Sequence, residues 1–210
     1  MSDAPHPEGP LRRLLAGRMP VAAALAGITL VSWAYLVVLA GHMAMTMSAM
    51  GMQFMPWSPI DFALMFAMWW IMMIGMMTPG AAPLILIFDR ISAGRRGRGQ
   101  PFVSTAVFVA GYLAAWGLFS LLATLAQWGL ESTALMLPMM HLTSPAIGGG
   151  VLVVAGLYQF TPLKHACLKH CRSPFAFVMN HWRDGARGAL RMGAGHGAYC
   201  LGCCWFLMAL

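Results

Sequence analysis

The stretch that decides the class of fold is IDFALMFAMWWIMMIGMMTPGAAPLILIF, residues 60–88. It carries one charge, Asp61, near its start. A transmembrane helix needs about 20 consecutive apolar residues, so this stretch is long enough to cross a bilayer. Pro79 and Pro83 should kink or break the helix near its end, because proline lacks the backbone N–H that a helix uses.

The composition of the whole chain agrees with this, since 60% of its residues are hydrophobic and 9% are charged. A soluble domain carries about 25% charged residues. Residues 21–41, 102–128 and 146–160 are three further spans, and a fifth begins near His196. The predicted fold class is therefore all-α, a polytopic transmembrane helix bundle of about five spans. The last helix is expected to be incomplete, because fewer than about 20 residues follow His196.

Two features are predicted between the fourth and fifth spans. Thr161 and Pro162 have the residue types of a helix cap and a first helical position, so a helix should restart there. Between residues 173 and 193, apolar side chains recur at helical spacing opposite a basic face. That pattern is typical of an amphipathic helix lying in the membrane interface. A joint of three glycines between residues 193 and 197 should lead from it into the last span.

The basic residues predict the orientation of the bundle. All thirteen Lys and Arg residues fall outside the spans and on one side of them, and positively charged loops remain in the cytoplasm. The N-terminus is therefore cytoplasmic, with residues 1–20 as a flexible cytoplasmic arm and residues 21–210 as the transmembrane helical domain. We expect a multi-pass protein of the bacterial inner membrane, whose partner is the lipid bilayer and not nucleic acid.

Sulfur and imidazole side chains are concentrated in two short blocks near the end of the chain. The blocks are YQFTPLKHACLKHC, residues 158–171, and GHGAYCLGCCWFLM, residues 195–208, and they contain all five cysteines. Thiolates and imidazoles from two helices can complete a trigonal or tetrahedral site for a soft metal ion. The expected metal is copper, with zinc as the alternative. The candidate ligands are Cys167, His170, Cys171, His196, Cys200, Cys203 and Cys204.

Two other interpretations of these thiols remain open. Cysteine is among the most buried residue types, so small packing residues at helix ends would give the same pattern. Cys200 and Cys203 also have the C-x-x-C spacing of a redox pair, although no βαβ context accompanies it.

A second group of soft side chains lies in the two predicted outer loops. His42, Met43, Met45 and Met47 are in one loop, and His141 is in the other, beside further methionines. Thioethers prefer Cu(I), so these residues are candidates for outer metal capture. Contact with lipid is the alternative, because methionine is also a flexible hydrophobic residue.

Methionines also follow the second span from one side of the membrane to the other. Met68, Met72 and Met76 are four residues apart and therefore share one face of a helix. Such a stripe is typical of core packing, and its functional interpretation is a thioether path for a soft cation.

Three longer motifs resemble a known bacterial family, that of predicted metal-binding integral membrane proteins. The motifs are MWWIMMIGMMTPGAAPL (68–84), AGLYQFTPLKHACLKHCRSP (155–174) and WRDGARGALRMGAGHGAYCLGCCWFLM (182–208). The resemblance covers most of residues 60–210 and implies a membrane location. In that family the final helix continues further. The resemblance also implies importance for Thr161, Pro162, Lys164, Cys167, Cys171, Trp182, Asp184, Gly185, His196, Cys200, Cys203 and Cys204.

The predicted function is that of a non-enzymatic integral membrane protein that binds a soft metal, with copper as the expected ion, and transports it or hands it over. Other membrane-protein subunits or a metallochaperone are possible partners. The alternative is a structural or assembly subunit of a larger membrane complex that packs on partner helices or pigments. A thiol redox protein is the third interpretation.

Overall fold

The computed structural model describes residues 19–50, 57–133, 136–137, 141–142 and 145–208, with the backbone alone for residues 43–50, 136–137, 141–142 and 145. These residues form seven helices and one short ladder, so the predicted all-α class is confirmed. The helices are α1 Met19–Met50, α2 Pro59–Gly97, α3 Thr105–Ser132, α4 Pro145–Tyr158, α5 Pro162–Arg172, α6 Pro174–His181 and α7 Gly185–Met208. The ladder pairs β1, Met136–Leu137, with β2, His141–Leu142, in antiparallel register.

In the described part of the chain, three helices are long and apolar enough to cross a membrane: Met19–His42 of α1, the whole of α2 and the whole of α3. Ala146–Tyr158 and Pro162–Arg172, which are bent by 63° relative to each other, would add a fourth if the pair is one span. Helix α7 is not among these helices, and its first turns carry two arginines. The fifth span and the cytoplasmic N-terminus therefore stay predictions.

Two helices continue beyond the predicted spans. The candidate span of α1 ends at His42, close to the predicted end at residue 41. The helix itself continues to Met50, where a loop was predicted, because residues 42–50 include no proline and are largely methionine and alanine, which are compatible with a helix. Helix α2 continues through Pro79 and Pro83 to Gly97. Each proline removes one backbone hydrogen bond, but neighbouring helices support such positions in a bundle.

The region between the fourth and fifth predicted spans is partly as expected. Thr161 does cap α5, since its side chain accepts a hydrogen bond from the Lys164 N–H. The single amphipathic helix predicted over residues 173–193 is wrong: α6 ends at His181, and α7 begins at Gly185, whose φ of +79° favours glycine. The predicted glycine joint is also wrong, because α7 is continuous through it.

Those glycines instead let α7 approach α3 closely. A Cβ added at Gly197 would lie 2.6 Å from the Ala115 Cβ, and one added at Gly193 would overlap the Phe108 carbonyl oxygen. On the α3 side, a Cβ at Gly111 would overlap the Leu190 carbonyl oxygen. Small residues four apart are a common way to pack helices in membranes. The glycines thus fix the spacing between α3 and α7.

Aromatic stacking and an ion pair hold the α6–α7 connection against α2. The Phe88 ring stacks on Phe108 at 4.7 Å and on Trp182 at 5.4 Å between centroids. Arg95 forms a 2.7 Å ion pair with Asp184, which also accepts a hydrogen bond from the Trp182 indole N–H. These contacts position the start of α7, and therefore its thiols, relative to α2.

A polar network joins α2 and α3 at the opposite end of α2. Trp69 donates its indole N–H to the Gln127 side chain at 2.9 Å, and Gln127 donates to Glu131 at 3.0 Å. Trp57 donates to the other Glu131 oxygen at 2.8 Å. Trp69 and Gln127 are both buried, so their hydrogen bond specifies how the two helices face each other.

Candidate metal centre

Helices α5 and α7 bring three cysteine thiols together. Cys171 lies near the end of α5, and Cys200 and Cys203 lie on successive turns of α7. Their sulfur atoms are all within 4.8 Å of one another, and those of Cys171 and Cys203 are 3.9 Å apart. We call these three residues the thiol cluster.

The spacing of the thiol cluster suits one metal ion. Sulfur ligands lie about 2.3 Å from a bound ion such as zinc, which places the corners of a trigonal site about 4.0 Å apart. The cluster therefore needs little rearrangement to bind an ion. All three side chains are partly buried and none is in a disulfide, so the thiols are chemically available as ligands.

The contact between α5 and α7 is made by residues next to the cluster. The His170 ring stacks on Tyr199 with centroids 4.1 Å apart. A Cβ at Gly202 would lie 2.5 Å from the Cys167 sulfur, so the Cys167 side chain fills the space that this glycine leaves. The Tyr158 hydroxyl donates to the Gly202 carbonyl oxygen. In this arrangement, Cys167 and His170 support the cluster from outside it.

His196 is one turn before Cys200 but is not part of the cluster. It is 3% exposed, stacks on Tyr112 at 5.9 Å and contacts the edge of Phe177 at 5.1 Å. Its Nδ1 atom has no hydrogen-bond partner among the described residues. Buried polar atoms normally have one, so this nitrogen is available to a ligand.

Cys204 faces a different neighbour. Its sulfur lies 3.9 Å from the Met77 sulfur in α2, and its thiol donates to the Cys200 carbonyl oxygen at 2.9 Å. The Tyr112 hydroxyl donates to the Met77 carbonyl oxygen at 3.1 Å and lies 3.8 Å from the Cys200 sulfur. Cys204 thus joins the cluster to a thioether on a third helix.

The residues of the predicted methionine path and of the predicted outer metal capture are not shown to form a metal site. Met68, Met72 and Met76 are half-buried in α2 and pack against the core, and the proposed path through them stays a prediction. His42 is exposed at the point where the candidate span of α1 ends. The side chains of Met43, Met45, Met47 and His141 lie outside the described residues, so outer metal capture also stays a prediction.

Three residues near the thiol cluster, none of them a ligand in it, were not predicted from the sequence. Met77 follows Met76, the last methionine of the stripe, but lies on a different face of α2. Tyr112 and Gly202 carry no sequence signal of their own, because their roles arise from contacts between helices that are distant in the chain.

Together, the fold and the site define a class: an α-helical protein, with three or four helices able to cross a membrane, that carries a thiol cluster suited to a soft metal ion. The chain belongs to the family described as PpoB2, copper chaperone, whose model matches residues 66–210. The match begins within α2 and includes every residue of the cluster. No curated protein and no solved structure matches the chain.

Proposed function

We propose that this protein is a membrane-embedded copper chaperone that binds Cu(I) at Cys171, Cys200 and Cys203 and hands it to an acceptor. The observation that carries the proposal is the convergence of three thiols from two helices within 4.8 Å. Family membership supports the metal, since the family is described as a copper chaperone. The role is that of a carrier without enzymatic activity.

The ligand set favours copper over zinc. Thiolates are soft ligands that select Cu(I), and a trigonal site uses the three sulfurs as they stand. Structural zinc almost always takes four ligands in a tetrahedron, so zinc would require a fourth group such as His196. The cations of α5, Lys164, Lys169 and Arg172, suit the negative charge of an ion held by three thiolates.

The proposal places the protein in the bacterial inner membrane, with the N-terminus and the cluster on the cytoplasmic side and five spans in total. The exposed surface of α1 supports a lipid environment, because Leu30, Val31 and Val37 are each at least 67% exposed. An apolar surface of this kind belongs in a bilayer or in a protein interface. The basic residues flanking the spans support the orientation.

The test is Cu(I) binding by the purified full chain in detergent, measured anaerobically by competition with a chromophoric Cu(I) chelator. We expect one tightly bound ion per chain. Cys200→Ser and Cys203→Ser should each weaken binding by about 100-fold or more, since one of three strong ligands is lost and each factor of ten corresponds to about 1.4 kcal/mol.

Cys167→Ser is the matched control, because Cys167 is on the same helix as Cys171 but lies outside the cluster. Its affinity should stay within about threefold of the wild-type value. Equal losses in all the cysteine variants, or wild-type affinity in Cys200→Ser, would contradict the assignment of ligands.

A further inference from the structure

A second pair of sulfur atoms lies beside the thiol cluster. The Cys204 and Met77 sulfurs are 3.9 Å apart, the same separation as that of Cys171 and Cys203 within the cluster. Met77 belongs to α2, a helix that contributes no ligand to the thiol cluster. Cys204 follows Cys200 by one helical turn, and its thiol donates a hydrogen bond to the Cys200 carbonyl oxygen at 2.9 Å.

Cys200 is positioned between the two groups of sulfurs. Its sulfur lies within 4.8 Å of the Cys171 sulfur, and its carbonyl oxygen accepts the hydrogen bond of the Cys204 thiol at 2.9 Å. The Tyr112 hydroxyl contacts both the Cys200 sulfur and the Met77 backbone. This contact fixes the segment that carries the thioether close to the shared thiol.

We propose that Cys200, Cys204 and Met77 form a second Cu(I) position, and that the ion moves there from the thiol cluster while it stays bonded to Cys200. This inference rests on the proposed function and specifies the route by which the ion leaves. The bonds between the ion and the Cys171 and Cys203 sulfurs break, and bonds to the Cys204 and Met77 sulfurs form. The proton that leaves the Cys204 thiol goes to the released Cys171 thiolate, while Cys203 remains a thiolate, so charge is conserved and copper remains Cu(I).

The chemistry of the second position favours release. A thioether is neutral, whereas a thiolate is charged, so replacing a cysteine ligand with Met77 weakens the attraction for the cation while keeping soft sulfur ligands. The second position therefore holds the ion less tightly than the cluster does. An ion there is more easily passed to an acceptor.

Met77→Leu tests the route, because leucine conserves the volume of methionine but offers no sulfur. In the full chain loaded with one Cu(I), we expect equilibrium affinity within about threefold of wild type and transfer to excess chromophoric chelator slowed by about tenfold. Cys204→Ser should slow transfer similarly. Met65→Leu, on the same helix but about 18 Å away along it, should transfer at the wild-type rate.

A second measurement uses the Cys171→Ser variant, in which the ion should reside at the second position. X-ray absorption spectroscopy at copper should then show sulfur ligands that include a thioether. Adding Met77→Leu to Cys171→Ser should cause a further loss of Cu(I) affinity that Met77→Leu alone does not cause. Wild-type transfer rates in both Met77→Leu and Cys204→Ser would overturn the proposed route without contradicting the thiol cluster as the Cu(I) site. Failure of the wild-type chain to bind Cu(I) would overturn both proposals.

Discussion

Replacing Gly197 with alanine would place a methyl group between α7 and α3. The added Cβ would lie 2.6 Å from the Ala115 Cβ and 3.2 Å from the Tyr112 carbonyl oxygen. Carbon atoms in good contact are about 3.5–4.0 Å apart, so α7 would have to move away from α3 by roughly 1 Å. Overpacking of this kind typically costs about 1–3 kcal/mol.

Gly195 provides the matched control, since a Cβ there has no atom within 4 Å. Both substitutions gain the same helix propensity, about 1 kcal/mol for alanine over glycine. We therefore expect Gly195→Ala to stabilise the protein slightly. Gly197→Ala should be less stable than Gly195→Ala by about 1–3 kcal/mol, the packing term alone.

The assay is unfolding of the full chain in detergent, followed by circular dichroism, together with Cu(I) competition for each variant. Gly197 lies one turn before Cys200, so a displaced α7 should also weaken metal binding in Gly197→Ala, while Gly195→Ala binds normally. Equal stability and equal affinity in the two variants would refute the close approach of α3 and α7.

Two further predictions concern the opposite end of α2 and the orientation in the membrane. Trp69→Phe leaves the buried Gln127 oxygen without its donor and should lower the free energy of unfolding by about 1–3 kcal/mol. The control Trp128→Phe, at an exposed position, should have little effect on that free energy. Equal effects of the two substitutions would contradict the role of the hydrogen bond. Alkaline phosphatase, which needs an oxidising compartment for its disulfides, should be inactive when fused after residue 97 and active when fused after residue 133, and the reverse pattern would contradict the cytoplasmic N-terminus.

The sequence carries strong signals for the helical class and for three of the spans. Long apolar runs leave few alternatives for a chain, which is why α2 and α3 lie close to their predicted positions. The helix start at Thr161 was predictable for the same reason that it forms, since a threonine followed by proline caps a helix well.

Other features depend on contacts between distant parts of the chain. Three glycines at every second position, between residues 193 and 197, are typical of a flexible joint. Gly193 and Gly197 form a packing surface only because α3 lies against them. Helix α2 is not broken at Pro79 and Pro83, where a kink or a break was predicted, because proline is tolerated when neighbouring helices support the backbone. The local sequence pattern contains no information on which helices lie next to each other.

The same limit applies to the metal centre. The sequence places the cysteines in two blocks, but it could not say which of the seven candidate ligands would converge. That choice depends on the angle at which α5 meets α7 and on the packing of Cys167 against Gly202. The partnership of Cys204 with Met77 spans 127 positions in the chain, which no local pattern encodes.

The 63° bend between α4 and α5 makes α5 a short arm of 11 residues that carries a single cluster ligand, Cys171. An ion bound by Cys171 and by the two thiols of α7 would cross-link α5 to α7. The loaded and empty proteins would then differ in the stiffness of one surface-accessible segment.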